Sequence, residues 1–313
     1  KNRLELWLRC IMEEKIRLAA FQWLKEQVAL HGDILPRTLL EQGFHYNEQR
    51  ITLIGPQGIW KPKVFEKIPL SITTVYNSPY DDSLSGDGSF IYRYRGTDPF
   101  HRDNVGLREA MKREIPLIYF FGVVPSKYLA VWPVFIVNDN PNTLSFTVVA
   151  DDMASIQNYL LGNTTKFISE DSQNAVRKYI TSTVKNRLHQ KAFRERVLLA
   201  YKLQCAFCRL KYTLLLDAAH IIPDGEELGD PIVNNGLSLC KIHHAAYDSN
   251  IIGVTPDYKI EVREDILHET DGPMLKHGIQ ELQSTKIILP HDKKAWPDRE
   301  RLEIKYSRFK QTG

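Results

Sequence analysis

The 313-residue sequence lacks the patterns that mark membrane, secreted and low-complexity proteins. It contains no run of 18 apolar residues, which is about the length that a membrane-spanning helix requires. Its first residues, Lys-Asn-Arg-Leu-Glu-Leu-Trp, have no long apolar core, so we expect no signal peptide. Hydrophobic residues make up 43% and charged residues 25%, which is typical of globular proteins. We therefore expect a globular protein with no membrane partner, long enough for two domains.

Cysteine is scarce, with four residues, and three of these stand in two short motifs. Cys205 and Cys208 form a C-x-x-C pair, and Cys240 and His243 form a C-x-x-H pair. Two such pairs of thiolate and imidazole donors predict a structural Zn²⁺ site with four protein ligands. Cysteines used in this way indicate a reducing compartment, and hence a cytoplasmic location, rather than disulfides. The remaining Cys10 is expected to be a buried helix residue.

The 31 residues between the two motifs exceed the usual spacing of a zinc finger, which predicts a folded insert. Within it, His220 stands near the end of a predicted strand, and Asn235 precedes Cys240 by five residues. His244 follows the zinc ligand directly and is surplus to a four-ligand site. Asp248 comes four residues later, so on a helix it shares a face with His244.

These spaced residues resemble those of the HNH endonucleases, the ββα-metal group, from Cys205 to Asp248. The resemblance implies that His220 activates water, that Asn235 orients the loop and that His244 binds a catalytic divalent metal at the scissile phosphate. The expected metal is Mg²⁺, or Mn²⁺. The resemblance also implies that double-stranded DNA is the partner.

One position departs from the family pattern. Many members place Asp or His directly before the first histidine as a metal ligand, and here that residue is Ala219. Asp217, further back on the same strand, or Asp248 is expected to take its place. A competing interpretation is that the zinc motifs only hold together a non-catalytic DNA-binding regulator, in which His220 would be dispensable.

A basic run precedes the first zinc motif. Residues 173–211 contain ten Lys or Arg and a single acid, Glu195. A solvated helical face is the simpler interpretation of such a run. Next to a nuclease motif, a surface that contacts DNA phosphates is favoured. Arg187, Lys191 and Arg194 are the expected phosphate contacts.

The rest of the chain predicts a helix over 4–30 and then short β-rich runs between residues 44 and 150. These runs predict a β-barrel or a strongly curved sheet. Among them, a short helix from Val105 to Arg113 is expected to be capped by Asn104.

The C-terminal half contains further predicted elements. Two helices are expected in the basic run, Val176 to Leu188 and Gln190 to Tyr201, and the second has an apolar face. A small sheet is expected over 250–263, followed by a tail over 296–309 that packs back. The fold class is therefore α+β, with a recognition domain at 1–160, a basic helical connector at 161–200 and a nuclease domain at 201–313.

The β-rich half carries an aromatic and acidic motif. Tyr80-Asp81-Asp82 precedes a glycine-rich loop and the strand that contains Tyr92 and Tyr94. This order resembles the SRA (YDG) family, whose PUA-like curved barrel flips a modified cytosine into a pocket. The resemblance implies that Tyr80 and Tyr94 stack on the base and that Asp82 accepts its hydrogen bond.

The match to the SRA family has a gap, because Gly96-Thr97-Asp98 replaces the longer glycine run of that family. A competing interpretation treats Tyr92 and Tyr94 as core aromatics, since strand alternation puts both on one face.

The whole layout resembles modification-dependent restriction endonucleases, which are prokaryotic. It implies an enzyme that cleaves duplex DNA containing 5-methylcytosine or 5-hydroxymethylcytosine. The alternative enzyme is an HNH endonuclease that reads unmodified sequence. Because a duplex break needs two active sites or two visits of one site, a homodimer is compatible with either.

Overall fold

The computed structural model describes residues 2–75, 89–151 and 170–312, and the side chains of 9–75, 89–151 and 177–312. The chain packs into two compact units, Lys1–Leu188 (unit 1) and His189–Gly313 (unit 2). The boundary lies inside a long helix, whereas the sequence suggested divisions at 160 and 200. Both units mix helices and strands, which confirms the α+β class.

Unit 1 opens with the predicted helix, α1, which spans Asn2–His31. Ile16, Ala20 and Leu24, spaced four residues apart along the helix, are buried. The helix ends at Gly32, whose positive φ of 80° suits glycine and whose N–H donates to a carbonyl of the last turn. The expectation for Cys10 was wrong: it is exposed, because burial along α1 begins only at Ile16, and Met12 is exposed as well.

A seven-stranded mixed sheet forms the body of unit 1, in the order β4-β5-β7-β8-β9-β6, with β1 paired to β8. The strands of this sheet are β1 Ile34–Pro36, β4 Ile59–Trp60, β5 Ser71–Thr74, β6 Phe90–Arg93, β7 Leu117–Val124, β8 Lys127–Asn140 and β9 Ser145–Ala150. A short helix and a separate hairpin complete the early part of the unit: α2 Arg37–Gln42, β2 Phe44–Tyr46 and β3 Gln49–Ile51.

The sheet curls into a half-barrel. β6 lies at one end of the strand order, but the hydroxyl of Tyr92 donates to the Thr73 carbonyl of β5, near the other end, at 3.4 Å. Inside the curl, the ring of Tyr119 on β7 meets those of Tyr92 and Phe90 at 6.4 and 5.4 Å. The expectation of a curved sheet is confirmed, and its aromatic interior explains the density of aromatic residues in this part of the chain.

The short helix α3 spans Arg102–Lys112 and begins earlier than predicted. Its cap is His101, whose Nδ1 accepts from the backbone of the first turn. Asn104, the expected cap, lies within the helix and is buried. Its side chain accepts from Arg95 N at 2.8 Å and donates to Asp98 O at 2.9 Å, so it fixes the segment that follows β6.

The basic run forms one continuous helix, α4, over Glu170–Ala200, and not two. No Gly or Pro stands between the two predicted segments to break the backbone hydrogen bonds. The end of the helix that belongs to unit 2 has the predicted apolar face, with Phe193, Val197 and Tyr201 buried. It packs closely on the next strand pair, since a Cβ on Gly236 would lie 2.5 Å from the Val197 side chain.

Unit 2 continues with a β-hairpin, a helix and a second hairpin. The strands are β10 Leu216–His220, β11 Gly236–Cys240, β12 Ile252–Val254 and β13 Ile260–Val262, and the helices are α5 Lys241–Asp248, α6 Glu264–His268, α7 Pro273–Gly278 and α8 Arg299–Lys310. Helix α8 is capped by Asp298 and buries Leu302 and Phe309, so the tail packs back as predicted. No described helix is long and apolar enough to cross a membrane.

Candidate metal centre and nuclease site

The hairpin of β10 and β11 positions both groups of site residues. Its antiparallel register pairs Leu216 with Cys240 at one end and His220 with Gly236 at the other. Helix α5 starts directly after Cys240. His243 and His244 are therefore neighbours in its first turn, and their side chains leave the helix about 100° apart. One hairpin and one helix thus contribute residues to two separate clusters.

The first cluster brings together the four predicted zinc ligands. One donor atom from each of Cys205, Cys208, Cys240 and His243 lies within 4.8 Å of all the others. The Nδ1 of His243 is 3.4 Å from the Cys205 sulfur and 3.2 Å from the Cys240 sulfur. Three thiols and one imidazole are the donor set of closed, tetrahedral zinc sites, so the cluster fits a structural zinc ion.

The environment of His243 also fits a metal ligand. Its Nε2 lies 2.7 Å from the carbonyl of Gly278, to which it donates, so that Nδ1 faces the thiols. Burial lowers the pKa of His243, but hydrogen bonds to the cysteines outweigh it and raise that pKa to about 10. Hydrogen bonds to the Cys205 and Cys240 sulfurs also raise the pKa of Cys208. A cation among these donors would replace the protons that this crowding retains.

The second cluster is centred on His244. Its Nδ1 lies 3.7 Å from Asp217 Oδ2, and its Nε2 lies 3.2 Å from Asp248 Oδ2. The nearby carboxylate of Asp217, followed by that of Asp248, raises the pKa of His244 to about 9. Both alternative carboxylates therefore meet at His244. Each carboxylate lies beside a different nitrogen of the imidazole, so the geometry leaves either one as the partner of His244. Carboxylate oxygens are donors that suit Mg²⁺ or Mn²⁺, and Asp248, 57% exposed, is open to solvent.

His220 is half-buried at the end of β10. Its ring stacks on Phe193 of α4, with centroids 4.0 Å apart and planes 18° from parallel. Among the described residues, its Nε2 has no hydrogen-bond partner. Burial lowers the pKa of His220, which favours the neutral imidazole that can accept a proton. The sequence placed Phe193 only on an apolar face and did not reveal this stack.

Asn235 holds the segment that follows His220. It is buried, its Oδ1 accepts from Ile222 N at 2.9 Å, and its Nδ2 donates to the carbonyl of the same residue at 2.9 Å. A further bond from Nδ2 reaches Asp230 O at 3.1 Å. These two bonds to the backbone of one residue fix the turn after β10, which in turn fixes the direction of the His220 side chain.

A sequence model of the HNH endonuclease family matches residues 205–255, which include both clusters. These residues form an HNH endonuclease domain. No curated protein matches the chain. Among solved structures, a "Modification dependent TagI restriction endonuclease" is 16% identical with a TM-score of 0.28, covering 77% of this chain and 82% of that chain. At that TM-score the likeness carries no argument.

The predicted phosphate contacts lie in different environments. Arg194, beside the HNH domain, donates to Leu216 O at 2.7 Å and lies 3.4 Å from Asp217, so it supports the start of β10. Lys191 lies one turn earlier on α4, and burial lowers its pKa. Arg187 belongs to unit 1, where it is exposed and pairs with Asp33 at 3.1 Å. The role of the three cations as phosphate contacts stays a prediction.

The predicted base-binding residues belong to unit 1. Tyr80 and Asp82 lie outside the described residues. Tyr94 is only 6% exposed, and its ring packs on Phe146 with centroids 4.7 Å apart. Its hydroxyl donates to Asp139. Tyr94 is therefore packed on one face and fixed at its hydroxyl.

The first prediction tests the metal centre. Cys205→Ala removes a buried donor, so the protein should lose its bound zinc and unit 2 should unfold, because structural zinc contributes roughly 10 kcal/mol or more. Metal analysis and hydrogen exchange of unit 2 measure both effects. Cys10→Ala, at the exposed free cysteine, is the matched control and should keep the metal. Stoichiometric zinc in the Cys205 variant would contradict the assignment.

Proposed function

We propose that the protein is a metal-dependent endonuclease that hydrolyses phosphodiester bonds of double-stranded DNA at the HNH domain. The observation that carries this proposal is the placement of a half-buried His220, whose pKa burial lowers, on the same strand as Asp217 of the Asp217–His244–Asp248 cluster. A structural zinc site alone requires neither group. A cluster of this composition beside a potential base is what hydrolysis of a phosphodiester needs.

Each residue has a role in this proposal. The imidazole of His220 takes a proton from the attacking water. Asn235 keeps the loop after His220 in place, and Phe193 holds the imidazole plane by stacking. His244, with Asp217 or Asp248, would hold Mg²⁺ or Mn²⁺. When bound, that ion supplies positive charge for the phosphate oxygens of the transition state.

The proposed role of unit 1 is to select the DNA. The modified-cytosine hypothesis is supported by the order of Tyr80, Asp82 and Tyr94 in a chain segment rich in strands, and by the curled sheet that carries Tyr94. In this hypothesis the enzyme restricts DNA with 5-methylcytosine or 5-hydroxymethylcytosine in a prokaryotic cytoplasm. A homodimer would supply two HNH domains for the two strands.

A specific observation favours a second candidate, an HNH endonuclease that reads unmodified sequence. The Tyr94 ring already packs on Phe146, and its hydroxyl already bonds Asp139, which is held by Arg108 at 2.6 Å. A residue with these contacts is sufficiently explained as part of the core of unit 1. The two candidates share the HNH chemistry and differ only in what unit 1 recognises.

The second prediction tests the base. His220→Ala should abolish Mg²⁺-dependent cleavage of duplex DNA while binding affinity and zinc content stay unchanged, because His220 belongs to neither the zinc cluster nor the basic run. His277→Ala is the control, since His277 is an exposed histidine paired with Glu281 in the same unit. Cleavage by the His220 variant at the wild-type rate would place the base elsewhere. Binding without any cleavage by the wild type would favour the non-catalytic regulator.

The third prediction compares matched duplexes carrying cytosine, 5-methylcytosine or 5-hydroxymethylcytosine. The modified-base hypothesis predicts preferential cleavage of a modified duplex. Tyr80→Ala should weaken binding of the modified duplex roughly ten- to a hundredfold, since stacking contributes about 1–3 kcal/mol per base. Tyr94→Phe keeps the ring contact with Phe146 and removes only the hydroxyl, so it separates the effect of the hydroxyl from that of the ring. Equal cleavage of all three duplexes would instead support the sequence-reading nuclease.

A further inference from the structure

Helix α8 presents a row of three cations to the HNH domain. Arg301, Lys305 and Arg308 follow one another by four and three residues, so they share a face of the helix. Arg301 donates to Leu228 O at 2.8 Å, and Arg308 pairs with Glu226 at 2.6 Å. Both partners belong to the loop that joins β10 to β11. The two outer cations therefore hold the loop that follows His220.

Lys305, in the middle of the row, differs from its neighbours. It is half-buried, and it forms no ion pair with any residue in the described part of the chain. Its Nζ lies 5.1 Å from the centre of the Tyr247 ring. Tyr247 directly precedes Asp248 on α5, so the ammonium group lies beside the metal-facing end of that helix. Partial burial of a cation without an anionic partner costs free energy, and the ammonium group of Lys305 faces the proposed active site.

The charges around Lys305 show what it is suited to bind. Burial lowers its pKa, and Asp248 is the charged group that opposes this most strongly. Asp217 and Asp248 flank His244, Arg194 lies 3.4 Å from Asp217, and Lys305 interacts electrostatically with Asp248. Arg194 already donates to backbone carbonyls and pairs with Asp217, whereas Lys305 contacts the Tyr247 ring. Of these two cations, Lys305 is the one that has no anionic partner among the described residues.

We propose that Lys305 binds a phosphate of the DNA substrate at the HNH site. The inference rests on the proposed function and adds to it a residue from outside the matched HNH segment, which ends at residue 255. A phosphate oxygen is an anionic acceptor of the kind that a lysine ammonium binds as a point charge. Helix α8 would therefore have two roles: its outer cations hold the loop after His220, and its middle cation contacts DNA.

The experiment compares Lys305→Gln and Lys305→Arg with Lys310→Gln. Lys310 is a matched control, because it lies on the same helix, also faces an aromatic ring at 6.0 Å, but is paired with Glu261 at 2.8 Å. Binding of a fluorescein-labelled duplex is measured without Mg²⁺ over a series of salt concentrations. Single-turnover cleavage at saturating DNA is measured with Mg²⁺.

Lys305→Gln should reduce the magnitude of the slope of log affinity against log salt concentration by about 0.9, the value for one lost phosphate contact. It should also slow cleavage by about 10- to 100-fold, because a charge that stabilises the reacting phosphate is removed. Lys305→Arg should restore the slope, and Lys310→Gln should match the wild type. If Lys305→Gln loses its zinc, Lys305→Met, which keeps the apolar stem over Tyr247, takes its place.

An unchanged salt slope in the Gln or Met variant overturns the inference, whatever happens to cleavage. A slower rate at an unchanged slope would mean that Lys305 acts only by holding Asp248. The binding measurement does not depend on catalysis. A wild type that binds DNA and never cleaves it would therefore refute the proposed function, and the slope would still decide the role of Lys305.

Discussion

The Cys3His cluster is the constraint on which the rest of unit 2 depends. Cys205 and Cys208 precede β10, whereas Cys240 and His243 end β11 and begin α5. One cation among them would therefore tie together the beginning and the end of the hairpin that carries the nuclease residues. Without such a cation, three sulfur atoms that can carry negative charge lie within 4.8 Å of one another and of an imidazole, which is unfavourable.

Two adjacent histidines on one helical turn face two different clusters. His243 faces the thiols, and its other nitrogen bonds to the Gly278 carbonyl. His244, one residue later, faces Asp217 across the hairpin and Asp248 one turn ahead. Because both histidines are fixed to the same short helix, the position of the zinc site determines the position of the proposed catalytic metal site. The burial of His243 and the exposure of Asp248 agree with a closed centre and an open one.

The sequence predicted the cluster because ligand spacing is a local property. Two short motifs fix which side chains can meet, and the strand before His220 and the helix after Cys240 follow from the same stretch. The choice between Asp217 and Asp248 could not be made in this way. It depends on the register of β10 and on how α5 packs against it, and the structure brings both carboxylates to His244.

The sequence could not predict contacts between segments that are far apart in the chain. The stack of Phe193 on His220 and the bond of Arg194 to Leu216 depend on how α4 packs on the hairpin. The spacing of Arg301, Lys305 and Arg308 by four and three residues can be read from the sequence. Nothing local showed that this face of the helix contacts the HNH domain. In unit 1, the curled sheet followed from the strand pattern, whereas the bond of Tyr94 to Asp139 required the tertiary fold.

The central claim is that one hairpin and one helix hold two distinct metal sites, one structural and one catalytic. Anomalous diffraction from crystals grown with Mn²⁺, recorded at the zinc and manganese absorption edges, tests it most directly. The account predicts zinc among Cys205, Cys208, Cys240 and His243, and manganese at His244 with Asp217, Asp248 or both. Zinc bound by His244, or manganese absent from His244 while ordered elsewhere in unit 2, would contradict it.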